Sequence, residues 1–275
     1  MDVNNILNSI NVIAEKIFKS VEGEVYELLD KLFNISPDIL KEDPLKKLIK
    51  SDLNDNVVLL LSSLVILFVI VYLITRMISM YNGNEQENIF RFMLKIGVSL
   101  IISTSSFYII ETILNLNSML TDVILSIGED IVTEKVCFVS LKEVIVDLDS
   151  FMVSDFLSLD GMIKGIVSFG ATAILLTLII RYVTVIILIV ISPVAFMLAA
   201  SDSTYSLFFS WCKTFLVNLL MQQVISVILI IPLALKKTDE TMYKIVLTGS
   251  MYLLYRINNF SKELLSGWSV KKNAK

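Results

Sequence analysis

GMIKGIVSFGATAILLTLIIRYVTVIILIVISPVAFMLAA, Gly161 to Ala200, decides what kind of protein this is. It carries only two charges, Lys164 and Arg181. A polar break follows at Ser201–Ser206 (SDSTYS), then LFFSWCKTFLVNLLMQQVISVILIIPLAL at Leu207–Leu235, again long and almost uncharged. A helix rises about 1.5 Å per residue, so roughly 20 apolar residues cross the hydrocarbon of a bilayer. Both runs exceed that length. A water-soluble helical core does not explain apolar runs of this length, so the sequence predicts an integral membrane protein.

The composition agrees. The chain has 275 residues, 55% hydrophobic and 18% charged, with a mean hydropathy of +0.76. Soluble domains carry about 25% charged residues. The net charge of −4 gives no basic footprint for gripping phosphates. There is no histidine, which removes the usual general base and the commonest metal ligand. Cys137 and Cys212 stand far apart in unlike surroundings, so neither a disulfide framework nor a cysteine metal site is expected. The N-terminus, MDVNNILNSI, lacks the pattern of a cleavable signal.

Working outward, residues 1–56 read as an amphipathic helical segment that does not span. Ile6, Ile10, Ile13, Ile17, Val21, Val25, Leu28, Leu29 and Leu32 recur at helical spacing, and Ser36–Pro37 ends the helix. A helical hairpin and a helix lying in the bilayer interface both fit, although the acidic polar face counts against the second. Val57–Tyr81 reads as the first span, and Ile96–Leu116 as the second. Residues 117–160 form an acidic interlude, read as short amphipathic helices, with a strand as the alternative at VCFVSLKEVIV. The third span runs from about Met162 to Ile191 and ends at Pro193. It divides in two only if the chain turns at Arg181, where no turn residue stands. Phe208–Leu235 is the fourth span, and Met242–Asn258 is a shorter, less apolar fifth. The expected fold is therefore all-α: a polytopic bundle of five spans, or six. Domain limits fall at 1–56, 57–116, 117–160, 161–260 and a tail at 261–275. Lysine and arginine tallies nearly cancel across the five spans, so charge does not orient the chain.

Candidate residues are the polar ones inside apolar runs. Arg181 costs roughly 2.5–3.5 kcal/mol at a bilayer centre unless it faces protein or water. Glu111, Gln222, Gln223 and Asp202 are its candidate partners. A structural role, snorkelling or interhelical, and a functional one, as a pore-lining or switch charge, both remain open for it. Asn218 and Gln222 share a helix face and, with Gln223 and Ser226, suit interhelical hydrogen bonds or a water-lined path. Pro193 and Pro232 read as helix ends. Trp211, beside Tyr205, Phe208 and Phe209, reads as an interfacial aromatic anchor. No nucleotide loop, paired membrane carboxylates or metal spacing appears, so no enzyme, cofactor or metal is expected.

The order of these features resembles the TrbL-like polytopic subunit of type IV secretion and conjugal transfer systems, in the smaller form of Gram-positive mobile elements. The likeness lies in IIRYVTVIILIVISPVAFMLA, in Phe209–Trp211 and in FRFMLKIGVSLIISTSSFYIIE, and covers roughly residues 57–235. It implies a non-enzymatic channel or scaffold subunit in the plasma membrane. The N-terminus and interlude would lie outside and the C-terminus in the cytoplasm. It also implies a homo-oligomer beside the assembly ATPase and small bitopic subunits, with single-stranded DNA and its relaxase, or a protein substrate, as cargo. A small-solute or ion transporter, or a scaffold with no conduit role, is the alternative.

Overall fold

The computed structural model describes residues 25–41, scattered positions between 63 and 81, and residues 89–141, 159–199, 204–236 and 240–266. The amphipathic pattern before residue 25, most of the first span, residues 142–158, Asp202, and the tail beyond residue 266 lie outside the described residues. Positions described between Ser63 and Tyr81 are helical and exposed. No strand occurs among the described residues.

Helix α1 covers residues 25–33. Tyr26, Leu29 and Phe33 lie on its buried face, while Glu27 and Lys31 form an exposed pair one turn apart. Asn34–Ser36 are not helical. Pro37 then opens a short 3-10 helix, Pro37–Lys41, with the Ser36 hydroxyl accepting from the Asp38 N–H at 3.3 Å. Proline suits a first helical position, where its missing N–H costs nothing.

Helix α2 (Ile89–Thr104) and helix α3 (Ser106–Val132) replace the expected span Ile96–Leu116. The ladder continues past Ser105 through Ser105 N to Ile101 O (3.2 Å) and Ile109 N to Ser105 O (3.1 Å). The Thr104 hydroxyl also donates to Ile101 O at 2.8 Å. Hydroxyls bonding back into the preceding turn bend helices, which accounts for the break in the run Ser103–Ser106. Helix α3 carries on through the start of the expected interlude and stops at Thr133, whose φ of 61° is left-handed. Thr133 N closes the end on Glu129 O at 2.7 Å. In the strand alternative, residues 138–141 are helical.

Helix α4 (Leu159–Leu198) runs unbroken through Arg181, so the single-helix reading holds. It also passes through Pro193, and α5 (Tyr205–Leu235) passes through Pro232. Both prolines were expected near helix ends; α4 runs on past Pro193 to Leu198, whereas α5 stops at Leu235, the expected end, shortly after Pro232. Membrane helices tolerate proline where neighbours satisfy the freed backbone groups. Near Pro193, side chains also bond the α4 backbone: the Ser103 hydroxyl donates to Pro193 O, and Trp211 Nε1 donates to Leu188 O at 3.2 Å, while the carbonyl that loses its ladder donor to Pro193 is Ile189 O.

Helix α6 (Glu240–Ser266) is present where the fifth span was expected. It falls short of the apolarity of a spanning helix. Among the described residues, Ser106–Val132, Gly165–Leu198 and Tyr205–Leu235 are long and apolar enough to cross, and Met93–Thr104 is a shorter apolar helix.

The chain forms two compact units. One holds Met1–Ile35, Asn117–Val183 and Val217–Lys275; the other holds Ser36–Leu116 and Thr184–Leu216. In the first, a single apolar core joins Tyr26, Leu29 and Phe33 to Phe138, Val167, Leu178, Met221, Ile225 and the α6 row Tyr243, Leu247, Met251 and Leu254. Gly128 lets α3 approach α5: a Cβ there would lie 2.5 Å from Ile230 Cγ1. The second unit carries an aromatic ladder. Trp211 stacks on Phe215 (centroids 5.5 Å, interplanar 5°) and meets Phe196 edge-on at 5.5 Å.

Candidate functional site: a buried polar centre

The polar residues of α3, α4 and α5 in the first unit meet at one point. Arg181 is 2% exposed, which is unusual for a cation. Its guanidinium makes three hydrogen bonds. Nε donates to Asn218 O at 2.8 Å, Nη1 to Phe33 O at 3.1 Å and Nη2 to Gln222 Oε1 at 3.1 Å. Every acceptor is neutral. One of them, Phe33 O, belongs to the last turn of α1, where carbonyls lack an intrahelical donor and the helix dipole is negative. The bare carbonyl and the buried cation answer each other.

Gln222 is the hub, fully buried. Its Oε1 also accepts from Ile35 N at 3.1 Å and Asn117 Nδ2 at 3.2 Å, and its Nε2 donates to Asn34 Oδ1 at 2.9 Å. Gln223 extends the network toward α3. Its Nε2 donates to Asn117 Oδ1 at 2.8 Å, while its Oε1 is buried with no partner. Thr121 Oγ1 donates to Asn117 O at 3.0 Å, and Ser226 Oγ to Gln222 O at 3.0 Å.

The centre thus brings together Arg181, Asn218 (through its backbone), Gln222 and Gln223. Glu111 is exposed and takes no part in it. Pro193 and Trp211 belong to the second unit, and Pro232 lies within α5 near its end. Trp211 is half-buried, and its indole N–H is held by backbone. Sequence reasoning missed Asn117 and Thr121, which it took for the edge of the interlude. It also missed Phe33–Ile35. An asparagine at the end of an apolar run was the available signal for the former; contributions from backbone C=O and N–H leave none.

Asp30 makes a second long-range link. Its carboxylate accepts from Phe138 N at 2.7 Å and Val139 N at 3.1 Å. Among the described residues no group of three His, Cys, Asp or Glu is placed to hold a metal.

Long apolar helices, an all-helical fold and a buried polar centre define a helical membrane protein of the multi-pass type. A family model described as TrbL/VirB6 plasmid conjugal transfer like protein matches residues 2–255. The chain belongs to that family. This makes it a conjugal transfer membrane subunit, from a family of structural components rather than known enzymes, that works alongside other type IV secretion components. No curated protein and no solved structure matches it.

Proposed function

We propose that this chain is a structural subunit that lines the translocation path of a conjugative type IV secretion system. Several copies assemble around single-stranded DNA with its relaxase, or around a protein substrate. The N-terminus and the segment between α3 and α4, residues 133–158, lie outside and the tail in the cytoplasm. The assembly ATPase and small bitopic subunits are its neighbours.

One observation carries the conduit reading. Helix α3 is among the helices able to cross a membrane, yet it bears a polar stripe on its outer side. Glu111, Asn115, Ser118, Asp122, Ser126 and Glu129 recur every three or four residues, so they share one face. Four of them are exposed, and Ser118 and Glu129 are partly so. Beside this stripe, Leu116, Met119, Leu120, Val123 and Ile127 are exposed and apolar. Ionisable groups inside a membrane face protein or water, because lipid contact costs about 2–4 kcal/mol each. The apolar strip suits lipid or helix contact, and the polar stripe suits a wet path. Its charge is negative, so it repels phosphates instead of holding them, which favours passage over capture.

The test is a cysteine scan of α3 in a Cys137→Ser, Cys212→Ser background in conjugating donor cells. A bulky charged thiol reagent should stop transfer at positions 115, 118, 122 and 126. It should leave transfer intact at 116, 120, 123 and 127. Inhibition without this periodicity, or on the apolar strip alone, sinks the conduit reading and leaves a scaffold. Abolished solute flux in reconstituted Arg181→Ala protein would favour a transporter.

A further inference from the structure

The end of α1 is held deep within the spans. Arg181 stands at the middle of the candidate span Gly165–Leu198, and Gln222 near the middle of Tyr205–Leu235. Asn117 and Thr121 flank the middle of Ser106–Val132. Phe33, Asn34 and Ile35 each make a hydrogen bond to Arg181 or Gln222 there. Just at this point the chain leaves helix: α1 stops at residue 33, and helical geometry resumes only at Pro37.

Irregular backbone at membrane depth survives only where protein or enclosed water satisfies it. Here the Arg181 guanidinium satisfies a C=O, and the Gln222 amide oxygen satisfies an N–H. The inner face of α1 is apolar and buried: Tyr26, Leu29 and Ile35 show no exposed surface, and Phe33 shows 6%. The outer face carries Glu27, Lys31 and Asn34, all exposed, with one exposed apolar residue, Leu28, among them. Charges of both signs on that face are incompatible with acyl chains. One side of α1 therefore packs on the spans, and the other is wet.

We infer that residues 25–35 are a re-entrant element, with Arg181 and Gln222 forming an intramembrane binding site for extended peptide main chain. The outer face of this element walls an aqueous recess that descends to the level of Arg181. The inference does not depend on the conduit role, since a scaffold could carry the same recess.

It is tested with single cysteines in the Cys137→Ser, Cys212→Ser chain, using a membrane-impermeant maleimide on intact cells and on inverted vesicles. Lys31→Cys and Asn34→Cys report the outer face of the element. Val183→Cys reports lipid contact at the same height, because it is exposed (48%) on α4 two residues beyond Arg181. Lys31 and Val183 are exposed and outside the polar centre, so those variants should fold; Asn34→Cys gives up the acceptor of Gln222 Nε2, and Lys31→Cys carries the test where that variant does not fold. Lys31→Cys and Asn34→Cys should react from one side of the membrane, at least tenfold faster than Val183→Cys. Slow labelling at both 31 and 34 overturns the wet recess. Equally fast labelling at 183 puts Arg181 outside the membrane and overturns re-entry. Slow labelling at 31 and 34 leaves the α3 scan untouched, so the wet recess and the conduit reading fail separately; fast labelling at 183 would count against both.

Discussion

Removing Gln222 should damage this protein more than removing Arg181, although Arg181 is the charged residue. Consider Arg181→Leu first. The variant loses three hydrogen bonds, but it also loses the cost of burying a cation, which amounts to several kcal/mol, and Leu fills the space with apolar atoms. Of the three acceptors left behind, Asn218 O lies within α5 and keeps its ladder donor. Gln222 Oε1 keeps Ile35 N and Asn117 Nδ2. Only Phe33 O is stranded, at about 1–3 kcal/mol. Gln222→Leu is different. It strands Ile35 N–H, the Asn117 amide and one N–H of a cation that remains buried. Three donors at about 1–3 kcal/mol each, with more for the charged one, give a loss of roughly 4 kcal/mol or more. The assay is reversible unfolding in mixed micelles by SDS titration. Hydrogen exchange of residues 25–35 should show that the Arg181→Leu loss is confined to α1 and the segment after it. If Arg181→Leu proves the costlier substitution, the assignment of Gln222 as hub is wrong.

Other outcomes follow from single contacts. Gly128→Ala should cost about 1–3 kcal/mol by overpacking against Ile230. Pairing it with Ile230→Ala should cost less than the two single losses together, as measured in the same titration. Asp30→Ala leaves two N–H groups without their carboxylate, so it should cost about 2 kcal/mol and raise exchange at Phe138 and Val139. Trp211→Phe gives up one indole bond to Leu188 O but keeps a ring on Phe215, so about 1 kcal/mol is expected, against about 3–5 kcal/mol for Trp211→Ala. Equal losses for the two Trp211 variants would mean that the stack contributes nothing.

The spans were legible because a bilayer imposes a length, and length is written in the sequence. The run through Arg181 contains no turn residue, and the helix there is continuous. Helix ends were less legible. Pro193 looks like a terminator under rules drawn from water, but membrane helices tolerate proline, and α4 runs on to Leu198; Pro232 does stand in the last turn of its helix. Helix α3 overran its expected end because Asn117 looked like a boundary, when its side chain turns inward to Gln222 and Gln223. Arg181, Gln222 and Gln223 stood out as polar residues in apolar runs, and the structure gathers them. Glu111 stood out for the same reason and is not gathered, because residue type does not say which way a helix face points. Phe33 and Ile35 join the centre through main-chain atoms, which every residue possesses.

The choice of neutral acceptors around Arg181 has a mechanical consequence. A carboxylate partner would satisfy most of the guanidinium from one side chain on one helix. Instead, the fork is shared among the α1 terminus, the α5 backbone and the Gln222 amide. Arginine suits this arrangement because its donors diverge in a rigid plane, whereas a lysine ammonium is a point charge on a flexible stem. Each acceptor alone is too weak to hold the cation, so the cation is stable only when all three elements are present. Arg181 therefore makes the docking of residues 25–35 a condition for a well-formed α4–α5 pair. The converse also holds: the open backbone after Phe33 has a low-cost place to lie only where α4 and α5 have already come together.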